Sequence, residues 1–188
     1  MRKLVLYTLT SVDGAVDDPR RFFPDNDTSF SHAPVFDQTV ADLEARVIGA
    51  QDAVLMGRNT FDEWSRYWPA SDEQPFADFI NGVRKYVVTS TPLPDSWTNA
   101  EAVTVPIADF VRDLKARPGR DIGVHASITL AQTLLGAGLV DELHLVVGPV
   151  IDPVGRRLFE GLHDLRPLEL LSATPTPGGS VLVNYRIP

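Results

Sequence analysis

The chain has 188 residues, 44% of them hydrophobic and 22% charged, with a formal net charge of −8 and no cysteine. That length predicts one well-cored domain over residues 1–188, and the acidic balance, with no run of Lys or Arg to offset it, speaks against a nucleic-acid partner. The missing thiols exclude disulfides, thiolate zinc sites and a cysteine nucleophile.

Met1-Arg2-Lys3 precedes an apolar stretch from Leu4 to Leu9, and Asp13-Gly14 follows without a small-residue cleavage pattern. The stretch is therefore expected to be a first strand and not a signal peptide. No segment approaches the roughly 18 apolar residues of a membrane span, so the expectation is a cytoplasmic protein with no membrane partner. Asp17 to Pro34, rich in Asp, Pro, Ser and Asn, reads as a long loop of the kind that forms lids or binding loops. Val40, Leu43, Val47 and Ile48 recur at helical spacing and predict a helix from Phe36 to Ala50. A short buried strand, Ala53 to Met56, then runs into Gly57-Arg58-Asn59-Thr60.

Phe61 to Tyr67 reads as a helix stopped by Trp68-Pro69, and Phe76 to Ile80 as a further helical turn. A strand from Tyr86 to Thr89 and a weaker one from Ala102 to Val105 follow. A helix containing Phe110, Val111 and Leu114 ends at Pro118-Gly119. Ile122 to Val124 is a strand and Ser127 to Leu135 a helix, with Gly136 and Gly138 as its terminators. Leu139 to Val147 reads as a long strand, and Val181 to Ile187 alternates as a half-buried antiparallel strand. Strands alternating with helices predict an α/β fold, a mainly parallel central sheet flanked by helices with an antiparallel C-terminal edge.

Ligands of such sheets bind beyond the carboxyl ends of the strands, which draws attention to two junctions. At Gly57-Arg58-Asn59-Thr60 a helix start offers unpaired N–H groups and a positive dipole end. Gly57 admits close approach of a ligand, and Arg58 adds a phosphate-matching guanidinium. The same residues also spell a capping box, Thr60 with Glu63, which starts a helix without any ligand. At Val124-His125-Ala126-Ser127, Ser127 is an N-cap, and an ordinary capped helix is the stronger reading of those residues alone. His32, His125, His144 and His163 show no metal-ligand spacing. The serines lack a nucleophile-elbow pattern, and Gly178-Gly179 reads as a turn.

Taken in order, Ser11-Val12-Asp13-Gly14, Leu55 to Phe61, Tyr67-Trp68-Pro69, Tyr86 to Thr91, Leu139 to Leu145, Pro149-Val150 and Arg157-Leu158-Phe159 span nearly the whole chain. This pattern resembles the dihydrofolate-reductase-like superfamily, and within it the reductase domain of the bifunctional riboflavin-biosynthesis deaminase-reductase. The resemblance implies an NADPH-dependent reductase that transfers a hydride to a small heterocycle, pterin-like or a ribosylaminopyrimidine, and works as a homodimer. It implies cofactor contacts at Gly57, Arg58 and Thr60, at Ala126, Ser127 and Ile128, and at Ser90 and Thr91, with the Ser11 to Val16 turn bordering the nicotinamide. Dihydrofolate reductase itself carries a proton-donating carboxylate on the helix before the Gly-Arg-x-Thr strand. Asp42 falls near that place, one residue short, although a solvated helix-face Asp is the stronger reading.

The chain departs from the family at Ala126-Ser127, where relatives carry Gly-Gly or Gly-Ser, and at Asp152-Pro153-Val154-Gly155. A Cβ on Ala126 is expected to crowd the phosphates at a cost of about 1–3 kcal/mol. That departure supports the alternative of a nucleotide-binding or scaffold protein that kept the fold and lost catalysis.

Overall fold

The computed structural model describes residues 1–21, 23 and 36–188. Of the predicted Asp17 to Pro34 loop, it places a 3-10 turn at Pro19–Arg21. Most of the remaining loop, with His32, lies outside the described residues.

The strands are β1 (Leu4–Thr10), β2 (Gln51–Gly57), β3 (Arg84–Val88), β4 (Ala100–Val103), β5 (Asp121–Val124), β6 (Glu142–Val147), β7 (Glu169–Pro175) and β8 (Val181–Arg186). The helices are α1 (Gln38–Gly49), α2 (Arg58–Tyr67), α3 (Phe76–Gly82), α4 (Ile107–Ala116) and α5 (Ile128–Gly136). All eight strands join one sheet in the order β4-β3-β2-β5-β1-β6-β8-β7. The pairings from β4 to β6 are parallel, whereas β8 runs antiparallel to both β6 and β7. The terminal strand thus shares a sheet with β6, as the sequence pattern predicts.

Alternation along the central strands divides the core between the two faces. Leu4 and Leu6 of β1 join Leu55, Ile122 and Val124 against Val111 and Leu114 of α4 and Leu134 of α5. Val5 and Tyr7 point the other way, toward Val40, Leu43 and Val47 of α1. Val54 and Met56 of β2 pack with Phe61, Phe76 and Ile80 on the α2–α3 side. Strands covered on both faces read as continuous apolar runs, which is why β1 and β2 were visible in the sequence.

Two elements differ from expectation. The sixth strand begins at Glu142 and not at Leu139. Leu139 and Val140 are buried in the turn leaving α5, and Asp141 there accepts the Leu4 N–H through its carboxylate at 2.6 Å. β7 escaped the sequence reading because all seven of its residues are exposed, so no buried face imposes alternation on it.

One buried charge organises the end of α3. Lys85 is 0% exposed, and its ammonium donates to the carbonyls of Ile80 at 2.8 Å and Val83 at 2.9 Å. It also lies 4.5 Å from the centre of the Trp97 ring, and burial lowers its pKa to about 8. Lys85→Met keeps the stem but leaves these carbonyls without a donor. We expect a stability loss of about 1–3 kcal/mol in denaturant unfolding near pH 7; an unchanged midpoint would contradict this account of α3.

Candidate functional site

β2 and β5 are neighbours in the sheet, so the junctions leaving them stand side by side. α2 starts at Arg58 directly after the strand; its cap, Gly57, has φ −83° and ψ 164° and no side chain to cap with. Thr60 is therefore the third residue of the helix, and the capping box expected with Glu63 does not form. The Thr60 hydroxyl instead lies 2.7 Å from the hydroxyl of Ser127.

Ser127 does occupy the cap position of α5, yet its side chain does not cap that helix, because its backbone is left-handed at φ 69° and ψ 67°. Its oxygen turns to the first junction and accepts the Gly57 N–H at 2.8 Å. One hydroxyl thereby ties two helix starts together, and the first-turn N–H groups of both helices lack a side-chain cap. Ser127 is the residue held in the conformation that favours glycine, whereas half-buried Ala126 and Ile128 carry no positive φ.

Arg58 spans from α2 to the turn after β3. Its Nε meets both oxygens of Asp62 at 2.8 and 2.9 Å, and Nη1 donates to the Thr91 hydroxyl at 2.6 Å and the Pro92 carbonyl at 3.1 Å. The structure thus gathers Gly57, Arg58, Thr60, Ser127 and Thr91, with Ser90 exposed on the same turn. In this arrangement the guanidinium is engaged with Asp62, and a phosphate would share it.

Ser11 and Val16 belong to a neighbouring turn at the end of β1, two strands from β2 and so about 10 Å away at ordinary strand spacing. The Ser11 hydroxyl donates to Asp13 at 2.7 Å and accepts the Ala15 N–H at 2.9 Å. Asp13 also accepts the Asp152 N–H at 2.8 Å and pairs with Arg157 at 2.7 Å. These contacts, the Asp152 N–H first among them, lower the Asp13 pKa. Together they clamp the turn against the loop after β6. An open cavity of about 650 Å³ lies beside it, lined by residues that include Gly14, Gly155, Arg156 and Phe159.

The sequence reading missed a polar group of side chains on the α1 face of β1 and β5. His125, next to the second junction, bonds through Nε2 to the Gln51 amide oxygen at 2.7 Å. The Gln51 side chain reaches it by crossing Gly123, where any Cβ would collide with the amide and stand 2.6 Å from the imidazole. The His125 ring lies 5.6 Å from Tyr7, 5.5 Å from Phe76 and 5.7 Å from Phe79. Burial lowers its pKa to about 3, so it is neutral near pH 7.

Among the described residues, buried His125 Nδ1, the Tyr7 hydroxyl, the Gln51 amide nitrogen and Trp68 Nε1 find no hydrogen-bond partner. Glu44 of α1 faces Tyr7; burial first, and then the charge of Glu73, raise its pKa to about 7. Asp42 points away, exposed and bonded to Gln38 at 2.7 Å. The helical period held the missing signal, since Glu44 is four residues after Val40 and three before Val47.

The fold and paired junctions are those of a dihydrofolate-reductase-like α/β protein. Within that class the chain belongs to the RibD C-terminal domain family, whose sequence profile matches residues 2–182. It is 29% identical over 138 residues to the uncharacterized protein YyaP of Bacillus subtilis (strain 168), covering 71% of this chain and 73% of that one. Its fold is shared with a putative riboflavin biosynthesis protein from Shewanella sp. PV-4, with a TM-score of 0.73, 20% identity and 99% of each chain covered. A pyrimidine reductase-like protein from Corynebacterium diphtheriae gives a TM-score of 0.66 at 18% identity, over 100% of this chain and 92% of that one. The bifunctional deaminase/reductase of Thermotoga maritima gives 0.68 at 16% identity, and this chain spans 57% of it.

Substitutions at Ser127 separate its two contributions. Ser127→Ala removes both hydrogen bonds and keeps the left-handed backbone, for an expected loss of about 1–3 kcal/mol. Ser127→Gly loses the same bonds but relieves about 1–2 kcal/mol of left-handed strain, so it should be the milder variant in denaturant unfolding. Equal losses would contradict the strain at this position.

Proposed function

We propose that the chain is a single-domain, NADPH-dependent reductase of a small heterocycle, pterin-like or a ribosylaminopyrimidine. The observation that carries this reading is the pair of uncapped helix starts joined through Ser127. Two adjacent helix N-termini offer converging N–H groups and positive dipole ends to a diphosphate. The first-turn N–H groups of α2 and α5 would hold the pyrophosphate, and Arg58 with Ser90 and Thr91 the adenosine-side phosphate. The turn from Ser11 to Val16 would border the nicotinamide, and the cofactor would supply the hydride. The Thermotoga maritima deaminase/reductase and the Corynebacterium diphtheriae pyrimidine reductase-like protein, which share the fold, support this substrate class.

A second reading has its own observation. Ser127 already takes the Gly57 N–H, and Ala126 stands where the family pattern has glycine, as a chain that kept the fold and lost catalysis would tolerate. Among the described residues no helix is long and apolar enough to cross a membrane. A cytoplasmic location and a homodimer remain expectations of the family resemblance. Exposed Leu170, Leu171 and Val181 on β7 and β8 are the apolar surface a second copy would cover.

Intrinsic fluorescence of the three tryptophans provides the test. NADPH should quench it saturably, and Arg58→Ala should weaken binding roughly tenfold to a hundredfold by removing a charge-assisted contact. No saturable binding at ~1 mM NADPH, where a Kd corresponds to a binding free energy of only about 4 kcal/mol, would favour the scaffold reading. Light scattering at micromolar concentration should give twice 20.7 kDa; a monomer mass would refute the dimer.

A further inference from the structure

Arg58 is the cation through which the first junction would meet the adenosine side of a dinucleotide, and its donors are already in use. A guanidinium offers five N–H groups and grips a phosphate best through two parallel bonds along one edge. Two edges serve for that, Nε with Nη2 and Nη1 with Nη2. Nε donates to both carboxylate oxygens of Asp62, at 2.8 and 2.9 Å. Nη1 donates to the Thr91 hydroxyl at 2.6 Å and the Pro92 carbonyl at 3.1 Å. Each edge is therefore half taken, and Nη2 is the nitrogen that donates to none of the described residues.

We propose that Asp62 is a specificity-determining residue, which holds Arg58 Nε and so lowers the preference for NADPH over NADH. The inference rests on the reductase reading and deepens it. The two cofactors differ by one 2′-phosphate, which carries roughly two negative charges. To bind it along the Nε–Nη2 edge, Arg58 must release Asp62, and a carboxylate then stands uncompensated beside the phosphate. To bind it along the Nη1–Nη2 edge, Arg58 must loosen its hold on Thr91 and Pro92, and Asp62 still offsets its charge. Specificity is a difference of affinities, so a group that opposes one ligand sets it as surely as a contact that favours the other.

The helix gains little from this pair. Its side chains are 31% and 38% exposed, so water screens the attraction and folding draws little on it. The basic residue precedes the acidic one by four, the weaker order for a helical pair. Arg58 also opens α2, where the positive dipole end disfavours a cation. The turn after β3 does not discriminate by itself. Hydroxyls donate and accept alike, so Ser90 and Thr91 suit a ribose 2′-hydroxyl as well as a 2′-phosphate. The balance between Arg58 and Asp62 is left to decide.

Titrations of the full chain with NADPH and with NADH, followed by tryptophan fluorescence, test the inference without any substrate. Asp62→Ala frees Nε and removes the charge, whereas Asp62→Asn removes the charge and keeps an oxygen acceptor. The ratio of the NADH Kd to the NADPH Kd should rise about tenfold or more in Asp62→Ala, and by a smaller factor in Asp62→Asn. Adenosine 2′,5′-bisphosphate and 5′-AMP, as competitors of NADPH, should separate in the same order, since they differ in that phosphate alone. In an Arg58→Ala background, Asp62→Ala should raise the ratio by less than it does with Arg58 present.

An unchanged ratio in both Asp62 variants, with NADPH still bound, overturns this inference alone. So does a lower ratio, which would mean that Asp62 aims Arg58 at the phosphate instead of withholding it. Failure of the unaltered chain to bind either cofactor overturns the reductase reading, and this inference with it.

Discussion

The Ser127 hydroxyl, held between the Gly57 N–H and the Thr60 hydroxyl, sets the spacing of the two helices that leave β2 and β5. It reaches across because its backbone is left-handed, at φ 69°. In an ordinary cap conformation the same oxygen would bond to its own helix. Both helix starts therefore stay uncapped by their own side chains and face the same space at the carboxyl edge of the sheet. Arg58 extends this arrangement to the turn after β3, where it meets Thr91, so three consecutive strands contribute to one polar surface.

The dry side of the site depends on a different economy of space. Gly123 has no side chain, and only for that reason can Gln51 cross the strand to reach His125. The histidine is then fixed as a neutral ring among Tyr7, Phe76 and Phe79. Burial acts in opposite senses on its neighbours, removing the charge of His125 and holding the proton on Glu44.

Much of this architecture was legible in the sequence. Two-period and 3.6-period apolar patterns located most of the elements, and Gly57-Arg58 following an apolar strand marked the first junction. What stayed hidden has physical reasons. No residue type announces a left-handed serine, so the strain at Ser127 left no trace in the sequence. The Thr60–Glu63 spacing fits a capping box, but the helix begins three residues before the expected Phe61, at Arg58. Contacts such as Gly57 with Ser127, 70 residues apart, follow from strand order, which a local pattern does not encode. Asp42 drew attention by spacing from the glycine, and the structure places it exposed on α1, bonded to Gln38. β7, exposed throughout, left no periodic trace.

The central claim is that the two junctions act as one diphosphate site. Backbone amide shifts followed by NMR during an NADPH titration test it most directly. The account predicts that the amides of Arg58 to Thr60 and of Ile128 to Leu130 move together and saturate with a single binding constant. Shifts confined to one helix start, or absent from both while the ligand binds elsewhere, would contradict it.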